Sequence, residues 1–310
     1  MRIAILGAGG VGAYLGARLA HTGAADVHLV ARGSHLEALQ RDGLELRSIL
    51  GDVRVDIPAY AEPAEIGPVD VVVFTVKSTD TDEAAGRLAP LLGKDTAVIS
   101  FQNGVDNEER IAAVVGDDHV LGGAAFIFST ITEPGVIHHT GGPARFFFGE
   151  LDGSPSERAT RFLDACREAD VDTELSLDIR SLMWRKFVFI CAQAGMTAAT
   201  RLPVGALRED AEAWKMYRQI VEEVCAVAAA EGIPLSNDVV EETMRLAGGL
   251  DPDAYSSLHY DLEHGKPMEL EALTGCVVAL GRRSGVDVPA NEAIYALLSP
   301  WAARNRARSA

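Results

Sequence analysis

The apolar positions of the first half of the chain fall into short unbroken runs. Residues 3–6, 27–30, 71–76 and 97–101 are apolar at nearly every position, with longer mixed stretches between them. Runs of this kind suit parallel strands, which are covered by helices on both faces and have no polar side to show. The intervening stretches are long enough for crossover helices, so the pattern predicts an α/β fold with a doubly wound, Rossmann-type sheet. The rhythm changes at 122–149. Residues 124–131, 136–139 and 145–148 read as antiparallel strands that extend or cap the sheet, with a turn at Glu133-Pro134-Gly135. One more helix is expected over 157–169 and a last short strand over 171–175.

Beyond Asp178 the apolar residues recur at helical spacing. Helices are expected over 182–200, 211–231, 236–247 and 267–284, with stops at Gly232-Ile233-Pro234, Gly248-Gly249 and Gly285. The pattern divides the chain into a Rossmann-type domain over 1–177 and an all-helical domain over 178–310, with no internal repeat.

Composition narrows the function classes. The 310 residues carry a formal charge of -17. Such a field repels phosphate backbones and argues against nucleic acid as a partner. It also repels a small anionic ligand, so any site for one needs cations of its own. No stretch reaches the roughly 18 apolar residues of a membrane span, and the first apolar run is too short for a signal peptide. Cys166, Cys191, Cys225 and Cys276 form no C-x-x-C pair and read as reduced thiols of a cytoplasmic protein. No metal site is expected. His138 and His139 are adjacent on a strand and point to opposite faces, and His259 and His264 lack a matching ligand set.

The first strand leads into Gly7-Ala8-Gly9-Gly10-Val11-Gly12, a G-x-G-x-x-G followed by a helix. Gly7 permits the tight turn, Gly9 lets the backbone approach a pyrophosphate, and Gly12 lets helix and strand pack closely. The helix N-terminus, with Gly10 in its first turn, offers free N–H groups to phosphates. A glycine-rich turn without a ligand is the plain alternative. Sites for NAD usually place an acid at the end of the second strand. Here Val27–Ala31 is followed by Arg32, which suits the 2′-phosphate of NADP(H) or else is a solvated charge. Lys77 and Asn103 follow the third and fourth apolar runs, beyond the strand ends where ligands of open α/β sheets lie.

Hydride delivery to a ketone leaves negative charge on its oxygen, and a positioned proton donor removes that cost. Lys186 lies in the otherwise apolar Phe187-Val188-Phe189 neighbourhood, where its charge is expensive unless paired or used. A snorkelling lysine is the alternative. Glu269, with Pro267 near the start of an expected helix, is a candidate partner, although the helix dipole alone favours an acid there.

The motifs as a set resemble the ketopantoate reductase (2-dehydropantoate 2-reductase) family. The matching pieces are the glycine loop, Thr75-Val76-Lys77, Gln102-Asn103-Gly104, Trp184-Arg185-Lys186, Ser256-Ser257 with Asp261-Leu262, and Glu269-Leu270-Glu271. The resemblance implies NADPH-dependent reduction of a 2-oxo acid in a cleft between the domains. It makes Lys186 the general acid, Glu269 and Asn103 its orienting partners, Ser257 a contact of the substrate carboxylate, and Lys77 and Asn103 neighbours of the cofactor. It leaves a homodimer open.

Four positions depart from the family pattern. Ile190, Ala194 and Ala254 stand where the family commonly has asparagines, and Thr274 also replaces an amide. Lys186, Ile190 and Ala194 share a helix face at i, i+4 and i+8. Burying a substrate hydroxyl without a partner costs about 1–3 kcal/mol, roughly five- to a hundredfold in kcat/KM. Either Gln193, Thr197, Tyr255 or Thr274 recovers the lost hydrogen bonds, or the substrate is a more apolar 2-oxo acid. A non-catalytic NADP(H)-binding sensor is a third reading, against which the pairing of Lys186 with Glu269 argues.

Overall fold

In the computed structural model, which describes residues 1–309, the chain divides into two units. One comprises residues 1–102 and 107–179, the other residues 103–106 and the described residues from 180 onward. Asn103 therefore belongs to the helical unit, although it follows a strand of the first.

The first unit contains β1 (Arg2–Leu6), β2 (Asp26–Val30), β3 (Leu44–Ser48), β4 (Val53–Val55), β5 (Ala59–Tyr60), β6 (Val69–Phe74), β7 (Leu92–Ser100), β8 (Val120–Glu133), β9 (Val136–Glu150) and β10 (Thr173–Leu175). Its helices are α1 (Gly10–Thr22), α2 (Gly33–Asp42), α3 (Thr81–Ala85), α4 (Asn107–Val115) and α5 (Glu157–Glu168). The strands form a single sheet ordered β4-β3-β9-β8-β7-β6-β1-β2-β5, with β10 paired to β9. From β5 through β2, β1, β6 and β7 to β8 every pairing is parallel, as in a doubly wound fold.

Period-two alternation explains the unbroken apolar runs. Ile3, Ile5, Val71 and Val73 enter a core with Leu15 of α1 and Phe162 of α5. Ala4, Leu6, Val72 and Phe74 enter a separate core with Ala84 of α3 and Ile111 of α4. Both faces of the strands are thus covered, and neither can be polar.

The expected strands over 136–139 and 145–148 are one strand, β9, which pairs antiparallel with β8 from Leu121 to Glu133. Register shifts around Phe128 and a left-handed backbone at Ala144, φ 47°, carry the pairing past Gly141, Gly142 and Pro143. β3 and β4 escaped the sequence reading. Leu44 and Leu46 are fully buried while Arg47 is exposed, an alternation that was present but short and broken by charges.

The helical unit comprises α6 (Ile179–Thr200, of which Ile179 falls in the first unit), α7 (Val204–Glu209), α8 (Ala211–Ala230), α9 (Val239–Gly248), α10 (Ser257–Glu263), α11 (Cys276–Ser284) and α12 (Pro289–Ser309). Its core gathers Phe187, Val188, Tyr217, Val221, Leu258 and Leu273. The single helix expected over 267–284 is corrected in one respect. A π turn, Glu271–Gly275, precedes α11, and Pro267 and Glu269 lie ahead of any helical residue. α12 went unread because Pro300 interrupts its pattern. Its first turn is satisfied from outside: the buried Glu223 carboxylate accepts from the backbone N–H of Ala290 and Asn291, each at 2.9 Å. Among the described residues no helix is long and apolar enough to cross a membrane.

Candidate active site

The glycine loop joins β1 to α1, and each of its glycines has a different physical reason. Gly7 adopts φ 103°, and a Cβ there would stand 2.6 Å from the Val76 nitrogen. At Gly12 a Cβ would lie 2.6 Å from the Gly7 carbonyl and 2.7 Å from Ile5, so α1 could not seat against β1. Gly10 is occupied differently from the expectation of cofactor contact alone. A Cβ there would collide with the Ser129 carbonyl of β8, whose hydroxyl donates to the Gly10 carbonyl at 2.8 Å. At Gly9 a Cβ would meet nothing within 4 Å. Packing does not require that glycine, and the open backbone suits the close approach of a pyrophosphate.

Two further residues stiffen this end of the sheet. Thr75 Oγ1 donates to the Gly7 carbonyl at 2.8 Å. Buried Gln102 donates to the Val76 carbonyl and to Thr81 Oγ1, both at 2.9 Å, tying the ends of β6 and β7 to α3. Both residues stand in the motifs Thr75-Val76-Lys77 and Gln102-Asn103-Gly104, whose spacing does not reveal these bonds. Lys77 follows directly, half-buried, its carbonyl accepting from Asp80 N–H at 2.8 Å.

Beyond β2 lies a groove of 490 Å³ bordered by Ala31, Arg32, Leu36, Glu62, Glu83 and Arg87. Arg32 Nη2 lies 2.9 Å from Glu83 Oε1, and its Nη1 lies 3.9 Å from Asp80 Oδ2. The Arg32 side chain is 54% exposed, so a phosphate can reach it. The open space over Gly9 and the arginine at the β2 end fit a phosphorylated dinucleotide.

In the helical unit three of the expected residues meet. Lys186 Nζ donates to Asn103 Oδ1 at 3.0 Å. Asn103 Nδ2 donates to Glu269 Oε2 over a longer 3.4 Å. All three are half-buried. The asparagine orients the ammonium through its acceptor and the carboxylate through its donor. This arrangement holds the Lys186 side chain in place within an otherwise apolar stretch of α6, with the Glu269 carboxylate next in the series.

Along the Lys186 face of α6, Ile190 is half-buried and Ala194 is buried in the core, 3% exposed. Ala254 is half-buried, and its backbone bonds Asp251 and Val204. Ser257 is exposed as the first residue of α10, after Ser256, which caps the helix and bonds Thr197 Oγ1 at 2.8 Å. Thr197 also donates to the Gln193 carbonyl. Its hydroxyl is therefore committed to structure. Tyr255 stacks on His259 with ring centroids 4.1 Å apart. Gln193 accepts from Tyr217 OH at 3.2 Å. Among the described residues, Gln193 Nε2 and Thr274 Oγ1 are buried without a partner. With the Thr197 hydroxyl committed, Gln193 and Thr274 are the buried residues of the four that retain free capacity. Also among the described residues, no group of three or more His, Cys, Asp or Glu is placed to hold a metal ion.

Comparison with known proteins agrees along the whole length. The family profile described as "Ketopantoate reductase PanE/ApbA" matches residues 3–153, and "Ketopantoate reductase PanE/ApbA C terminal" matches residues 178–301. A 2-dehydropantoate 2-reductase of Mesorhizobium japonicum is 32% identical over 96% of this chain and 97% of its own. An uncharacterized oxidoreductase of Bacillus subtilis is 31% identical over 98% of this chain and 99% of its own. The crystal structure of a PanE/ApbA family ketopantoate reductase from Ralstonia eutropha superposes with a TM-score of 0.91 at 33% identity, over 99% of this chain and 100% of that one. With both halves matched in order and a doubly wound sheet followed by helices, the chain belongs to the ketopantoate reductase family of NADPH-using oxidoreductases.

Proposed function

We propose that the protein reduces 2-dehydropantoate to pantoate, with Lys186 as general acid. The observation that carries this reading is the hydrogen-bonded series Lys186–Asn103–Glu269. NADPH supplies the hydride when bound. Gly7, Gly9, Gly10 and Gly12 shape the loop for its pyrophosphate, Arg32 takes its 2′-phosphate, and Lys77 and Asn103 border it. The protonated Lys186 attracts the 2-oxo acid and gives a proton to its carbonyl oxygen as charge develops there. Asn103 and Glu269 keep the ammonium aimed, and the Ser257 hydroxyl donates to the substrate carboxylate. Four free thiols, three of them buried, suit a reducing cytoplasm.

A second reading is favoured by one specific observation. The Lys186 face of α6 continues into Ile190 and Ala194, neither of which can hydrogen-bond a hydroxylated tail. A 2-oxo acid with an apolar branched or aromatic tail fits that stripe. Initial rates of NADPH oxidation with 2-dehydropantoate and with unhydroxylated 2-oxo acids separate the two. A kcat/KM for 2-dehydropantoate higher by about two decades, the discrimination that hydrogen bonds to a hydroxyl can supply, supports the first reading and means that other side chains replace the missing amides. Preference for an apolar acid overturns it and leaves the lysine chemistry standing.

A further inference from the structure

The groove beside Arg32 carries more acid than a phosphate site needs. Two guanidiniums, Arg32 and Arg87, are matched by three carboxylates, Glu62, Asp80 and Glu83. Arg87 is fixed. It lies 2.7 Å from Glu62, donates to the Ala61 carbonyl at 2.9 Å, and is only 24% exposed. Arg32 is the adjustable one, and Glu83 holds it more closely than Asp80 does, at 2.9 Å against 3.9 Å.

We propose that Glu83 is a specificity-determining residue for the cofactor. It competes with the 2′-phosphate of NADPH for Arg32 and offers an acceptor to the ribose hydroxyl of NADH, so that the protein binds both dinucleotides with a narrow preference. The inference rests on the assignment of this groove to the 2′-phosphate under the proposed function. A 2′-phosphate brings a second anion to an arginine that already has one. It binds only by displacing Glu83 or by sharing the guanidinium with it, and the displaced carboxylate stays nearby as a like charge. An exposed ion pair is weak, so the competition narrows NADPH binding without abolishing it. NADH leaves the Arg32–Glu83 pair intact. It also finds a carboxylate on the groove wall, the group that NAD sites use for ribose hydroxyls. The β2 end itself supplies none, which is why the acid could not be read from its usual place in the sequence.

The test is a fluorescence titration of NADPH and NADH, without a 2-oxo acid, against the whole protein and its Glu83→Gln and Arg32→Gln variants. Glu83 is 66% exposed, so the amide disturbs no core. Wild-type dissociation constants for the two cofactors should differ by less than about tenfold. Glu83→Gln should tighten NADPH about three- to fivefold, the range an exposed ion pair supports, and leave NADH unchanged or weaker. An unchanged NADPH constant, or an equal change for both cofactors, overturns the proposal. Arg32→Gln separates the two levels of the argument. Selective loss of NADPH with Glu83→Gln silent defeats the competition alone. Loss of neither cofactor defeats the assignment of the groove, and the competition with it.

Discussion

Asn103 joins a lysine to a carboxylate 166 positions further along the chain, and it does so with the two ends of one amide. Replacing it tests whether the lysine must be aimed or merely charged. Asn103→Ala removes both bonds, and kcat is expected to fall about tenfold to a hundredfold, in the range of lost orientation. Asn103→Asp keeps an acceptor for Lys186 but loses the donor to Glu269 and sets a second carboxyl against it, so kcat is expected to stay below wild type. A wild-type kcat in Asn103→Ala would remove Asn103 from the aiming of the lysine. Lys186 and Glu269 were legible as candidates because a lone charge among apolar residues demands an explanation. Glu269 stood as a candidate partner of Lys186, but Asn103 between them came only from the family resemblance, because only the fold brings position 103 there.

At the scale of elements, the glycine loop shows how far sequence reasoning reaches. The turn at Gly7 and the close packing at Gly12 follow from the motif and are both present. The pressure of β8 on Gly10 depends on a hairpin whose registry no local pattern announces. The same long hairpin recruits His35, on α2. Its Nε2 lies 2.9 Å from the Ala8 carbonyl, and its Nδ1 accepts from Gly135 N–H at 3.0 Å, so the ring is neutral with its proton on Nε2. Burial pushes its pKa down, against the opposing bond to Ala8. His139, fully buried on β9, is lowered chiefly by burial as well. A lowered pKa means that the unfolded chain binds more protons than the folded one below the ordinary histidine range. This contribution to stability is whole above about pH 6.5 and is lost as pH falls through the depressed folded values. The melting temperature should hold from neutral pH down to about 6.5 and decline below it, with a shallower decline in His35→Gln. A wild-type melting temperature that rises on acidification through this window would contradict the assignment. Helix α10 and the π turn before α11 stayed hidden for a related reason. Each is too short for its periodicity to be seen, yet they hold Ser257 and follow Glu269.

For the whole molecule, a doubly wound sheet followed by helices was legible because strand-like runs and alternation end near Asp178 and only helical periodicity follows. The exception, residues 103–106, is too small a segment for any pattern to reveal. The charge of -17 sets a further condition on function. The long-range field disfavours an anionic 2-oxo acid and its anionic cofactor alike, so local cations must reverse it where they bind. Lys186 is the cation on which the proposed chemistry depends. The most direct test is to compare wild type and Lys186→Ala in two measurements made together, the dissociation constant for NADPH and the steady-state rate of NADPH oxidation with the preferred 2-oxo acid. A general acid predicts that NADPH binding persists while kcat falls by about 10²–10⁴. A variant that binds NADPH and turns over as fast as wild type would contradict the account.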